Sequence, residues 1–134
     1  MSRVVGLGID VVDLGRFASV VARHGEAFER RVFLAGEIRS RRTSVARAVH
    51  LAGLFAAKEA ALKALGTGWA HGLVFRHVEI ERGEHGAPSL RFHAAAARRA
   101  RELGVERILL SITHDGPVAA AVVVLEGSSP EDPA

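Results

Sequence analysis

Ser44-Val-Ala-Arg-Ala-Val-His-Leu-Ala-Gly-Leu-Phe-Ala-Ala-Lys-Glu-Ala-Ala-Leu-Lys-Ala-Leu65 is the stretch around which the chain organises. Alanine and leucine, the strongest helix formers, fill it. Gly66 is well placed as its C-terminal stop. The apolar positions wrap around most of the circumference, so this helix is expected to be buried on several sides, within one chain or at a subunit contact.

Upstream, residues 3–14 read as a buried strand. Val5, Leu7, Ile9 and Val11 alternate on one face, and Gly6, Gly8 and Asp10 share the other. Two glycines beside a carboxylate leave room for a helix or ligand to approach the backbone. A helix is predicted after Asp13, with His24-Gly25 as its stop, then a short helical stretch around Phe28–Phe33 and a turn near Gly36.

Downstream, Leu73–Arg82 alternates like a strand. Gly83-Glu-His-Gly86 is a hairpin turn and Ser89–His93 its partner strand. Ala94–Leu103 reads as a helix ended by Gly104. Arg107–Thr113 and Val118–Glu126 read as strands joined by a turn at His114-Asp-Gly-Pro117. The order is α+β: a small antiparallel sheet packed on a long buried helix. The 134 residues fit one domain over 1–126, with a polar, disordered tail over 127–134.

Composition narrows the function. The apolar fraction of 49% is that of a globular chain. With no cysteine, disulfides, thiolate zinc sites and cysteine nucleophiles are excluded, which suits the cytoplasm. No signal-peptide layout and no apolar run of membrane-spanning length is present. The formal charge is only +3, yet arginines cluster at Arg30, Arg31, Arg39, Arg41, Arg42 and Arg47, and again at Arg98, Arg99 and Arg101. Such clusters suit nucleic acid, a membrane surface, acidic proteins or phosphorylated ligands, or are simply solvated helix faces. A nucleotide- or RNA-binding module is the rival class, but Trp69 is alone and tyrosine is absent, so stacking platforms are lacking.

The chemistry-bearing residues start with Lys58, Glu59 and Lys63. Glu59 and Lys63 share a helix face, and Phe55 lies one turn before Glu59. An ordinary surface ion pair would use the same spacing. Against that, the neighbours are Ala56, Ala57, Ala60, Ala61 and Leu62, and the helix runs into Gly66-Thr67-Gly68, whose backbone N–H groups suit a phosphate. Asp10 interrupts an apolar strand and needs a partner or a metal. With Glu59 it could hold one Mg²⁺, which takes one or two carboxylates and completes its shell with waters and phosphate oxygens. His114 and Asp115 could stand at a site edge, or be turn residues.

Three stretches together resemble a known family: Gly6-Leu-Gly-Ile-Asp10 with Arg16 after it, Phe55-Ala-Ala-Lys-Glu-Ala through Lys63-Ala-Leu-Gly-Thr-Gly68, and Ser111-Ile-Thr-His114. The chain looks like a small, AcpS-type holo-acyl-carrier-protein synthase, a 4′-phosphopantetheinyl transferase. The resemblance implies transfer of 4′-phosphopantetheine from coenzyme A to a serine of an apo acyl carrier protein. It implies Mg²⁺ between Asp10 and Glu59, and phosphate neutralised by Lys63 with help from Lys58. It places Gly66, Thr67, Gly68 and His114 against the nucleotide. The first helix, with Arg16, Phe17, Val20 and Arg23, would receive the carrier protein, and homotrimers would carry active sites between subunits. The base for the serine stays open among Glu59, Asp115 and a water on the metal. Where the family often has a basic residue just before the helix phenylalanine, this chain has Leu54.

Overall fold

A computed structural model describes residues 2–38, 44–66 and 72–128. The elements run β1 (Arg3–Asp13), α1 (Leu14–Val32), α2 (Ala35–Ile38), α3 (Ser44–Leu65), β2 (Val78–Arg82), β3 (Pro88–Phe92), α4 (Ala94–Leu103), β4 (Val105–Asp115) and β5 (Val118–Gly127). Among the described residues, β1, β5 and β4 form an antiparallel sheet in that order, and β2 with β3 forms a separate hairpin. The α+β class and the long central helix are as the sequence predicts.

Helix α3 is the axis of the core. Leu51, Leu54, Ala56, Ala57, Ala60, Ala61, Leu62, Ala64 and Leu65 are all buried. Burial all round is therefore met largely within one chain. The β1–β5–β4 sheet covers one side, and the hairpin, α1 and α4 the others.

The approach of β1 to α3 depends on glycine. A Cβ on Gly6 would stand 2.3 Å from the Ala64 carbonyl oxygen, and one on Gly8 1.8 Å from that of Ala60. Only a bare backbone lets strand and helix approach this closely. The glycine face of β1 is thus the inner one. A helix thus takes the room the two glycines leave, as expected, but the strand is not buried on both faces: Leu7, Ile9 and Val11 are 64, 62 and 61% exposed in the single chain. Val122 and Val124 of β5 pair with Ile9 and Leu7 and extend the same outer face.

Other boundaries shift for local reasons. Within α1 the expected stop is present as a kink: Gly25 is non-helical, with φ +52° and ψ −134°, a conformation open to glycine, and helix resumes after it as far as Val32. Asp13 caps its start, the carboxylate accepting from the Arg16 N–H at 2.8 Å. The strand expected over Leu73–Arg82 begins only at Val78. Phe75–His77 is a 3₁₀ turn, which carries the Phe75 ring onto Phe55 at 5.2 Å between centroids. His114 and Asp115 lie in β4 rather than in the turn, paired with Ala119 and Val118. Gly127, expected in the tail, pairs with Arg3 in β5, and a Cβ on it would meet the Gly104 carbonyl at 1.9 Å. Residues 129–134, the rest of the expected tail, lie outside the described residues.

Candidate active site

The glycine contacts bring the next residue on the inner face of β1, Asp10, to the last turns of α3. Lys63 donates from Nζ to Asp10 Oδ1 at 2.9 Å and to the Ile9 carbonyl at 3.1 Å. The lysine thus turns to the strand carboxylate. The hydrogen bond it donates to Asp10, and the charge of that carboxylate, raise the Lys63 pKa, so the ammonium stays charged.

Glu59 lies one turn earlier and is half-buried. Burial first, then the negative charge of Asp10, pushes its pKa above the usual carboxylate value, with Lys63 pulling the other way. Asp10 and Glu59 also line one cavity of about 420 Å³, together with Val12, Asp13, Arg16, Phe17, Val20, Phe28 and Phe55. Two carboxylates that repel each other at the wall of an open cavity are a fit for a hard divalent cation that keeps most of its waters. Among the described residues no group of three or more metal-binding side chains occurs.

The predicted carrier-facing residues divide. Arg16 and Val20 line the cavity beside Asp10. Phe17 is only 4% exposed, and its ring packs on Phe28 at 5.8 Å and Phe55 at 5.6 Å, so it forms cavity floor rather than outer surface. Arg23 is exposed on α1 and is not part of the cavity lining.

Lys58 is corrected by the structure. It is 0% exposed, and its ammonium meets Glu37 Oε1 at 2.9 Å and the carbonyls of Phe75 (3.3 Å) and Val78. Burial lowers its pKa against the opposing charge of Glu37. With its donors committed inside the protein, Lys58 has none to offer a phosphate. Sequence reasoning missed Glu37 because the carboxylate sits in a polar run. Its one signal was an acid flanked by Gly36 and Ile38.

His114 and Asp115 sit two strands away from β1. His114 lines a different cavity, of about 360 Å³, with Ala46, Val49, His50, Gly53, Arg82, Ile112 and Thr113. Within one chain, therefore, they do not join Asp10 and Glu59. Gly66 closes α3 with φ +79°, its N–H bonding the Lys63 carbonyl at 3.0 Å, while Thr67 and Gly68 lie outside the described residues. Several of the clustered arginines have internal partners: Arg47 pairs with Glu29 at 2.6 Å, and Arg99 donates to the Leu65 carbonyl at 3.0 Å.

Comparison with known proteins shows the family. Residues 6–123 match the family model of the 4′-phosphopantetheinyl transferase superfamily. A holo-[acyl-carrier-protein] synthase of Maridesulfovibrio salexigens is 45% identical over 125 residues, covering 92% of this chain and 98% of the relative. The crystal structure of holo-[acyl-carrier-protein] synthase from Neisseria meningitidis superposes with a TM-score of 0.81 at 30% identity, over 92% of this chain and 98% of that one. The Helicobacter pylori synthase in complex with coenzyme A gives 0.75 at 29% identity, over 89% and 98%. The chain belongs to the 4′-phosphopantetheinyl transferase superfamily, within its holo-acyl-carrier-protein synthases.

Proposed function

We propose that this protein is a holo-acyl-carrier-protein synthase, with residues 1–126 as one catalytic domain. It transfers 4′-phosphopantetheine from coenzyme A to a serine of an apo acyl carrier protein in the cytoplasm. The serine oxygen forms a bond to the phosphorus that carries the pantetheine arm. The pyrophosphate P–O bond breaks, and 3′,5′-ADP leaves. The observation that carries the reading is the meeting of Asp10, Lys63 and Glu59 at one cavity in a chain of this family.

The roles follow from charge. Such transfer asks the protein mainly for positioning and neutralisation. Asp10 and Glu59 would hold Mg²⁺, which when bound supplies positive charge at the pyrophosphate. Lys63 keeps its proton and lies against Asp10, where it offers a fixed cation to phosphate oxygens. Arg16 and Val20 at the cavity mouth, with Arg23 farther along α1, present a basic and apolar edge to an acidic carrier protein. Gly66, Thr67 and Gly68 receive the nucleotide.

The working unit in this reading is a homotrimer. Support comes from the outer face of β1, where Leu7, Ile9 and Val11 form an exposed apolar strip, a surface that suits a subunit contact. Support comes also from the separation of His114 from Asp10 within one chain. A neighbouring subunit would bring its His114 cavity to the nucleotide end of this site. The test is mass spectrometry of an apo carrier protein incubated with coenzyme A and Mg²⁺. A gain of one phosphopantetheine is expected, and no gain across a panel of carriers would overturn the reading. Ile9→Lys should give monomers in sedimentation and lose turnover; an active monomer would remove the trimer.

A further inference from the structure

The hairpin β2–β3 is not a member of the main sheet, and among the described residues no strand lies beside the outer edge of β2. In an antiparallel ladder alternate residues turn both N–H and C=O to the same side. Glu79 and Glu81 turn theirs toward β3, which leaves Val78 and Ile80 facing outward. The Val78 carbonyl accepts from Lys58 Nζ, and the Ile80 N–H donates to Glu37 Oε2 at 2.8 Å. The other oxygen, Oε1, accepts from the Leu34 N–H at 2.8 Å and meets Lys58 at 2.9 Å. A buried ion pair, with side chains 0 and 3% exposed, thus supplies the donor and the acceptor that a neighbouring strand would have supplied.

The same ammonium reaches the Phe75 carbonyl at 3.3 Å. This fixes the turn that lays the Phe75 ring on Phe55. Phe55 is a wall of the cavity that Glu59 lines, and Lys58 is the residue before Glu59 on α3. Both the rotation of α3 and the position of the aromatic wall are therefore tied to one pair. We propose that Glu37 and Lys58 are positioning residues for the transferase site: by closing the edge of β2 against α3 they set where Glu59 and Phe55 stand. The inference rests on the transferase reading above.

Two rivals make different demands. If Lys58 works as a positive charge on phosphate, neutralising it is fatal in any form. If the pair serves stability alone, variants that stay folded keep wild-type constants. Lys58→Met removes the donors while keeping length and burial. Glu37→Gln with Lys58→Gln removes both charges yet keeps a donor for Val78 and an acceptor for Ile80; what it gives up is the bond from the Leu34 N–H, off the edge of β2, which an amide nitrogen cannot accept.

The experiment measures kcat, KM for coenzyme A and Tm for these variants, with calorimetric binding of 3′,5′-ADP in Mg²⁺ as a second readout. Below its Tm, Lys58→Met is expected to lose about tenfold or more in kcat/KM and to bind 3′,5′-ADP more weakly, because small displacements of positioned groups are costly. The double glutamine variant is expected within about threefold of wild type, since the hydrogen-bonded edge survives. Phe75→Leu, which leaves the ion pair intact, is expected to reproduce part of the Lys58→Met loss. It stands in as the deciding variant if Lys58→Met does not fold. Wild-type constants in folded Lys58→Met, or in Phe75→Leu where it decides, would overturn the proposal. So would a double variant as impaired as Lys58→Met. An inactive wild type that still binds 3′,5′-ADP would overturn the transferase reading, and the binding series would then decide the pair by itself.

Discussion

Gly8 and Ala60 meet with no room for a side chain, since a Cβ on Gly8 would stand 1.8 Å from the Ala60 carbonyl oxygen. The obstacle is backbone in the middle of a buried helix, so it cannot swing aside. Gly8→Ala is expected to cost about 3 kcal/mol or more, and to move Asp10 away from Lys63. Gly36→Ala is the control, because a Cβ there meets nothing within 4 Å. Chemical denaturation of both, with turnover alongside, checks this; an unaffected Gly8→Ala would refute the close approach.

The carboxylate pair gives a second expectation. Asp10→Asn and Glu59→Gln should each lower turnover by about a thousandfold while the fold remains, because charge stabilisation of the transferring group is lost. Full activity in both would remove the metal assignment.

Glu59 also fixes a pH dependence. Its pKa is raised by burial and by Asp10. Without metal, the folded chain keeps that proton to higher pH than the unfolded chain. Its contribution to stability is therefore present below the ordinary glutamate value and lost as pH rises through the folded value. A cation requires the ionised form, so stabilisation by Mg²⁺ should grow as pH rises through the same window. Thermal melts with and without Mg²⁺ across pH measure the difference, and a pH-independent Mg²⁺ effect would contradict the assignment.

Ala94 opens α4 with φ +50°, a left-handed conformation that disfavours a Cβ. Ala94→Gly is expected to stabilise by about 1 kcal/mol, seen as a Tm about 3 °C higher. A lower Tm would show that the strain is absent.

His77 is held below its ordinary value of 6.5 by burial first, and then by the charges of Arg98 and His93. Its Nδ1 faces the Val74 N–H at 3.4 Å, which suits the neutral ring. A depressed pKa means stability that is complete above the ordinary value and lost as pH falls through the folded one. The imidazole signal should titrate below 6.5 by NMR, and His77→Gln should flatten the acid side of the stability curve. A titration above 6.5 would reverse the argument.

Much of this was legible in the sequence, and the exceptions have physical causes. The long helix, the hairpin turn and the glycine face of β1 were readable because composition and period are local signals. The meeting of Asp10 with Lys63 follows from the same glycines, though no spacing rule joins residues 53 apart. Lys58 was misread because its fate depends on Glu37, 21 positions upstream, and on two carbonyls that exist as acceptors only after β2 is placed. The start of β2 was misread because the pull of Phe55 on Phe75 outweighs strand alternation. The exposure of the apolar face of β1 was not readable, because alternation separates two faces without telling whether both are covered within one chain.

Strand β1 lies at the edge of its sheet, and its neighbour there is the last strand, with Arg3 opposite Gly127 and Asp10 opposite Ala121. The contact of β1 with α3 closes over about 50 positions, while its only sheet partner among the described residues lies more than 100 positions downstream. A chain cut before residue 118 would keep the first contact and lose the second. Such a fragment would leave β1 with an unpaired strand edge, the kind of surface that joins chains to one another.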